Sequence, residues 1–88
     1  MKTSELIEAA KGEITATIGL ELDSISSVRN DGDHWVIHAD MLELRITPNT
    51  QDVLGVYEVL LDADANLLSY HRIGRHRRSQ LEIERADG

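Results

Sequence analysis

Residues 53–61 of this 88-residue chain read Val-Leu-Gly-Val-Tyr-Glu-Val-Leu-Leu, an apolar run whose one charged residue is Glu58. Apolar side chains occupy both alternating sets of positions, so both faces of a strand formed here would be covered. A strand of that kind belongs in the middle of a sheet. Turn-forming sequences bound the run: Thr-Pro-Asn-Thr-Gln-Asp at residues 47–52 and Asp-Ala-Asp-Ala-Asn at residues 62–66.

Three further strands are predicted around this run. Residues 34–46 form one, and the shift of its apolar positions near Met41 indicates a bulge or a bend. Residues 67–73 form another. Residues 22–29 form the third, and the Asn-Asp-Gly-Asp turn at residues 30–33 joins it to the strand that follows. Since all the connections are short, neighbouring strands are expected to be antiparallel.

The first 17 or so residues predict a helix, with Thr3 or Ser4 as its cap and Gly19 as its end. Apolar side chains recur there at spacings of three and four, which gives the helix one buried stripe. The expected stripe consists of Leu6, Ile7, Ala10, Ile14 and Thr17. The expected fold class is therefore α+β, an N-terminal helix packed on a four-stranded antiparallel meander sheet. Residues 1–80 are expected to form one domain and residues 81–88 a polar, frayed tail.

The composition predicts a thin core and a reducing compartment. There is no Phe or Cys, and there are one Trp and two Tyr. Such a small core makes docking onto a partner, or a homodimer, a reasonable source of stability. Trp35 is expected in the core, and the alternative is an exposed anchor for a partner. No apolar run approaches the roughly 20 residues that span a bilayer. With no secretory signal visible and no Cys, we expect a cytoplasmic protein that does not enter the membrane.

Patterns typical of enzymes and metal sites are missing from the sequence. It has no Cys nucleophile, no Gly-x-Ser-x-Gly turn and no phosphate-binding glycine loop. His34 and His38 would lie about 13 Å apart along a strand, too far to share a metal ion. The Asp-rich turn at residues 62–66 resembles the start of a calcium loop, but Leu67 stands where Gly is required and Ile73 where Glu is required. We expect a non-enzymatic protein with no metal or cofactor.

Two carboxylates, Glu43 and Glu58, have two interpretations. If they faced each other across adjacent strands, they would form an acid–base pair. Like charges directly opposite destabilise a sheet, however, so structural ion pairs are favoured. Arg45 and Arg72 are the expected partners in those ion pairs.

Charge is distributed very unevenly along the chain. The net charge is −7, yet residues 71–78 contain four Arg, two His and no acidic residue. This basic run has three interpretations: a strand end that balances the acidic remainder, a surface for an acidic protein, or a nucleic-acid site. Nucleic acid is the least favoured, because an acidic protein repels a polyanion and no aromatic residue lies among the arginines. The candidate partner-binding residues are Tyr70, Arg72, Arg75, Arg77 and Arg78.

Four motifs in succession resemble the gas vesicle protein GvpO family. They are Trp-Val-Ile-His at residues 35–38, Glu-Leu-Arg-Ile-Thr-Pro-Asn-Thr at 43–50, Asp-Val-Leu-Gly-Val-Tyr-Glu-Val at 52–59 and Tyr-His-Arg-Ile-Gly-Arg-His-Arg-Arg at 70–78. Together they cover most of residues 10–78, and their combined spacing is more specific than any one of them.

The resemblance implies an accessory role in gas vesicle assembly, without catalysis, in the cytoplasm or on the vesicle. The implied partners are other gas vesicle proteins. No functional residue comes with the resemblance. The sequence departs from the family pattern at Thr47, which is an extra residue, at Gly55, where Ala is common, and at His76, where Tyr is common. Two alternatives stay open: a nucleic-acid-binding regulator of gas vesicle gene expression, and a module that binds a small ligand between helix and sheet.

Overall fold

The computed structural model describes residues 2–78, and its elements follow the predicted order. They are helix α1 (Thr3–Ile18), strands β1 (Glu21–Asn30) and β2 (Trp35–Leu44), a 3₁₀ turn (Asn49–Gln51), and strands β3 (Val53–Leu61) and β4 (Leu67–Arg77). The strands form one antiparallel sheet in the order β1-β2-β3-β4. The predicted α+β meander is confirmed, with β3 as an inner strand. The expected tail at residues 81–88 lies outside the described residues. Within residues 2–78, no helix has the length and apolar character needed to cross a membrane.

Helix α1 lies on one face of the sheet through three fully buried residues, Leu6, Ala10 and Ile14. Gly19 ends the helix in the left-handed region (φ 79°) and donates its N–H to the Thr15 carbonyl. The expected side-chain cap is wrong, because Lys2 occupies the cap position without a side-chain hydrogen bond.

The last turn of α1 also differs from the predicted stripe. Thr17 is exposed, whereas Ile18 packs against the core. The helix ends at Ile18 and the chain leaves through Gly19 toward β1, so contacts at this end are made by the residue nearest the exit.

The hydrophobic core lies between α1 and the inner strands. Ala10 and Ala39 are fully buried, and their small side chains let the helix approach the sheet closely. Trp35 is half-buried and packs against the core from its rim. The core residues are Leu6, Ala10, Ile14, Ile37, Ala39, Met41, Val59, Leu61 and Ala65.

Both outer strands carry β-bulges. Asp23 and Ser26 are the extra residues in β1, and Leu68 and Ile73 are the extra residues in β4. Bulges at sheet edges twist the strand and disfavour edge-to-edge pairing with another chain. A partner of this protein is therefore better placed to bind through side chains than by adding a strand.

The sheet departs from the predicted strand bounds at one end. The bulge expected near Met41 occurs at Glu43, between Leu42 and Leu44, and β2 ends at Leu44. The predicted end of the last strand at residue 73 is wrong. Strand β4 continues to Arg77, because the first residues of β3 need a backbone partner and find it in the basic run.

Candidate functional site

The bulge in β2 places Glu43 at the centre of a charged cluster on the helix-bearing face. The Tyr57 hydroxyl donates to Glu43 Oε2 at 2.9 Å. Arg72 Nη1 and Arg75 Nε both donate to Glu43 Oε1 at 3.1 Å. The Glu43 side chain is 12% exposed, whereas those of Arg72 and Arg75 are 45% and 62% exposed. Two positive charges surround one negative charge, so this Glu43 cluster (Glu43, Tyr57, Arg72 and Arg75) carries a net positive charge toward solvent.

Gly55 provides the space that the Glu43 carboxylate occupies. A Cβ atom at this position would meet Glu43 Oε2, would lie 2.6 Å from Glu43 Cδ, and would lie 3.0 Å from Tyr57 Cε1. A glycine inside a strand is a sequence signal for close approach of another group. That signal could have pointed to Gly55 and Tyr57 as parts of the site, which the sequence interpretation left without a role.

The cluster shifts the pKa values of two of its members. Burial by itself raises the pKa of Glu43, but hydrogen bonds from Tyr57 and Arg75 and the charges of Arg72 and Arg75 outweigh it, so the pKa is lowered. Burial, followed by the hydrogen bond to Glu43, raises the pKa of Tyr57. Glu43 is therefore an anion and Tyr57 a neutral donor at neutral pH, which keeps the pair fixed.

A second charged cluster joins the outer strands at the same end of the sheet. Arg78 Nη1 donates to Asp23 Oδ1 at 2.9 Å, and Arg78 Nη2 donates to Asp52 Oδ2 at 3.4 Å. The Arg78 backbone N–H also donates to the Asp52 carbonyl at 3.1 Å. Asp52 is buried, and its Oδ1 accepts the Ile46 N–H at 2.8 Å. Arg78 thus links the end of β4 to the bulge of β1 and to the entry of β3. We call this group (Asp23, Asp52 and Arg78) the Arg78 clamp.

Electrostatics favours the charged forms within the clamp. The Ile46 N–H is the chief cause that lowers the pKa of Asp52, and Arg78 adds to it. The hydrogen bond to Asp23 is the chief cause that raises the pKa of Arg78. Asp23 and Asp52 were not among the sequence-predicted site residues, because nothing in the local sequence indicates a contact with a residue 55 or 26 positions away.

The remaining predicted ion-pair residues lie elsewhere. Glu58 is next to Tyr57 on the opposite face of the sheet, so it does not face Glu43. Its Oε2 lies 3.0 Å from His38 Nε2, and its Oε1 lies 3.8 Å from His71 Nε2. Arg45 Nη2 donates to Glu21 Oε2 at 2.6 Å, at the exposed start of β1. Across residues 2–78, no group of three or more potential ligands is placed to hold a metal ion.

Stability is expected to fall as the pH drops below about 4. The pKa values of Glu43, Asp52, Glu58 and Asp62 are all lowered in the folded protein. A lowered folded pKa contributes stability above the unfolded pKa and loses it as the pH falls through the folded value. Urea midpoints measured between pH 2 and pH 7 should therefore rise with pH and level off above about 5. A midpoint that is flat or falls over pH 2–5 would contradict these pKa directions.

An open groove lies beside the Glu43 cluster, between the end of β2 and the end of β4. Its volume is about 480 Å³. Leu44 is aliphatic yet 55% exposed at this groove, and Leu68, Tyr70 and Ile73 add further exposed apolar surface along β4. The groove is lined by Glu43, Leu44, Val53, Arg75, His76 and Arg77.

The structure brings only some of the candidate partner-binding residues to one accessible place. Tyr70, Arg72, Arg75 and Arg77 are exposed along β4, and we call these four residues the β4 surface. The Tyr70 ring lies 6.3 Å from the ring of Tyr57, beside the Glu43 cluster. Arg78 is half-buried and held in its clamp.

Comparison with known proteins assigns the chain to a family. The family model described as "Gas vesicle synthesis protein GvpO" matches residues 1–82. The chain belongs to the GvpO family. The resemblance inferred from the four motifs is thereby confirmed.

Three relatives of known name illustrate the distance within the family. "Gas vesicle protein O" of Streptomyces sp. (strain CB03234) is 33% identical over 75 residues, which cover 85% of this chain and 59% of the relative. "Gas vesicle protein O" of Haloferax mediterranei is 35% identical over 54 residues, covering 61% and 39%. "Gas vesicle protein O1" of Halobacterium salinarum is 25% identical over 64 residues, covering 73% and 54%. The chain thus spans between two fifths and three fifths of the length of these relatives. No solved structure matches it.

Proposed function

We propose that this GvpO family member is a non-enzymatic accessory protein for gas vesicle assembly, and that it binds other gas vesicle proteins through its β4 surface. The family match over residues 1–82 is the observation that carries the gas vesicle role. The mechanism is surface binding in the cytoplasm or at the vesicle, without a chemical step.

The charge distribution supports the β4 surface as the contact. The chain as a whole carries −7, whereas Arg72, Arg75 and Arg77 lie on one exposed strand. Arginine and tyrosine are enriched among residues that dominate binding energy, and both are present here. Arg78 is excluded from the contact, because its guanidinium is held by Asp23 and Asp52 within the protein.

The proposal is tested in a host that carries the complete gas vesicle gene cluster. We expect deletion of this gene to abolish vesicles, and the wild-type gene to restore them. The double variant R72Q/R75Q should fail to restore them. Glutamine keeps hydrogen-bonding capacity and most of the length of the side chain but removes the charge. Vesicles are counted by electron microscopy and by the light scattering that pressure abolishes.

The matched control is R45Q, because Arg45 is also an exposed arginine in a single ion pair, with Glu21, away from the β4 surface. It should restore normal vesicles. If deletion of the gene leaves vesicle formation intact, the assembly role is wrong. If R72Q/R75Q restores vesicles as well as R45Q does, the role of the β4 surface is wrong.

A further inference from the structure

The helix-bearing face of the sheet has a covered part and an uncovered part. Helix α1 covers the part built around Ile37, Met41 and Val59. At the end of the sheet the same face continues through Glu43 and the groove beside it, where Leu44 is 55% exposed. An aliphatic side chain this exposed, next to basic side chains, is typical of a binding site rather than of a solvated surface.

The arginines of the Glu43 cluster keep donors for a second acceptor. A guanidinium group has five N–H donors in a planar fork. Toward Glu43, Arg72 uses Nη1 and Arg75 uses Nε. Their remaining N–H groups accept no bond from another described residue, and both side chains are well exposed. Glu43 therefore holds the two arginines in place and neutralises only one of their two charges.

The groove floor and its rim differ in chemistry. Leu44 and Val53 supply the apolar floor, and Arg75 and Arg77 lie at the basic rim. A ligand that satisfies both carries a carboxylate and, close to it, an aliphatic side chain. Nucleic acid fits poorly, because the Glu43 carboxylate forms part of the wall and would face a continuous row of phosphates.

Resting on the proposed function, we propose that this groove binds an acidic segment of a partner protein, in which aliphatic side chains alternate with glutamate or aspartate. An aliphatic side chain of the partner lies on Leu44 and Val53, and its neighbouring carboxylate takes the outward N–H groups of Arg72 and Arg75. The bulges at Leu68 and Ile73 leave no regular outer edge on β4, so the segment is held by side chains.

The test titrates the peptide Glu-Leu-Glu-Leu-Glu, capped at both ends, into the ¹⁵N-labelled 88-residue chain. Amide shift changes should centre on Leu44, Val53 and Arg75. The same peptide with Gln in place of Glu should bind roughly ten-fold more weakly, because charged hydrogen bonds to the guanidinium groups are lost. Raising the salt concentration from 50 to 300 mM should weaken binding several-fold, because exposed charges are screened.

Variants of the protein separate the two parts of the groove. R75Q should weaken peptide binding roughly three- to ten-fold and L44S by a similar factor, whereas R45Q should leave it unchanged. The two variants act on different contacts, so if one of them unfolds, the other still decides the matter. Spectra of each variant report whether the fold is kept.

Three results would overturn this inference. They are equal binding of the Gln peptide, shift changes confined to the surface between α1 and β1, and tighter binding of a single-stranded oligonucleotide at the same groove. If the peptide does not bind and R72Q/R75Q still abolishes vesicles, the inference fails while the proposed function stands. If the peptide binds and R72Q/R75Q restores vesicles, the groove is a binding site that assembly does not use.

Discussion

Replacing Asp52 by alanine is expected to lower the midpoint of thermal unfolding by about 10 °C or more, because it leaves buried groups without partners. Asp52 is 2% exposed and accepts both the Ile46 N–H and the Arg78 guanidinium. Without it, the turn between β2 and β3 loses the bond that ends β2, and the half-buried Arg78 keeps only Asp23. The measurement is thermal unfolding followed by circular dichroism at pH 7.

A graded series tests the cause of this loss. D52N should lose less than D52A, since the amide oxygen can still accept the Ile46 N–H, and it should also flatten the acid-induced loss of stability. The double variant D52A/R78A should lose less than the sum of the single losses, because the two residues share one interaction. D64A, at an exposed position in the turn after β3, is the control and should stay within about 2 °C of the wild type. A D52A midpoint equal to that of D64A would show that the Arg78 clamp does not stabilise the fold.

The substitution I14A is expected to cost about 2–4 kcal/mol of the free energy of unfolding. Ile14 is fully buried and is one of only three residues in α1 that are buried against the sheet. A cavity at this position cannot be closed easily, because the residues that surround it belong to a rigid sheet. In a domain of this size a loss of that order removes a large part of the total stability. Urea unfolding monitored by Trp35 fluorescence gives the value.

T17A is the matched control on the same helix. The spacing of the sequence places Thr17 in the buried stripe with Ile14, whereas the structure exposes it. T17A should therefore change the stability by less than about 0.5 kcal/mol. If T17A is as damaging as I14A, then α1 packs on the sheet in a different rotation from the one described.

Much of the fold was predictable because its signals are local. The alternation of apolar residues in β3, the Asn-Asp-Gly-Asp turn and the three-and-four spacing in α1 each depend on residues close together in sequence. The short connections then required antiparallel neighbours, and the meander followed. The errors at the ends of β2 and β4 have a common origin. A strand ends where its partner ends, and the partner is set by pairing between distant residues.

The candidate site was predictable only in part. The basic run and the residues Glu43, Arg45 and Glu58 were identified as charged groups that needed partners, and the sequence left their partners open. Glu43 pairs with Arg72 and Arg75 because a bulge in β2 turns it toward β4, and because Gly55 leaves room for its carboxylate. Bulges depend on how two strands settle against each other, and the sequence of one strand gives only their approximate position.

The sequence by itself determined the family, the α+β class and the existence of a basic segment in an acidic chain, since these depend on residue order and composition. Only the tertiary structure decided how the arginines of that segment are used. Arg78 is held inside the protein by carboxylates 55 and 26 residues away, and Arg72 and Arg75 share one carboxylate while keeping donors exposed. The physical reason is that ion pairing depends on distances of a few ångströms between side chains, and folding alone sets those distances for residues on different strands.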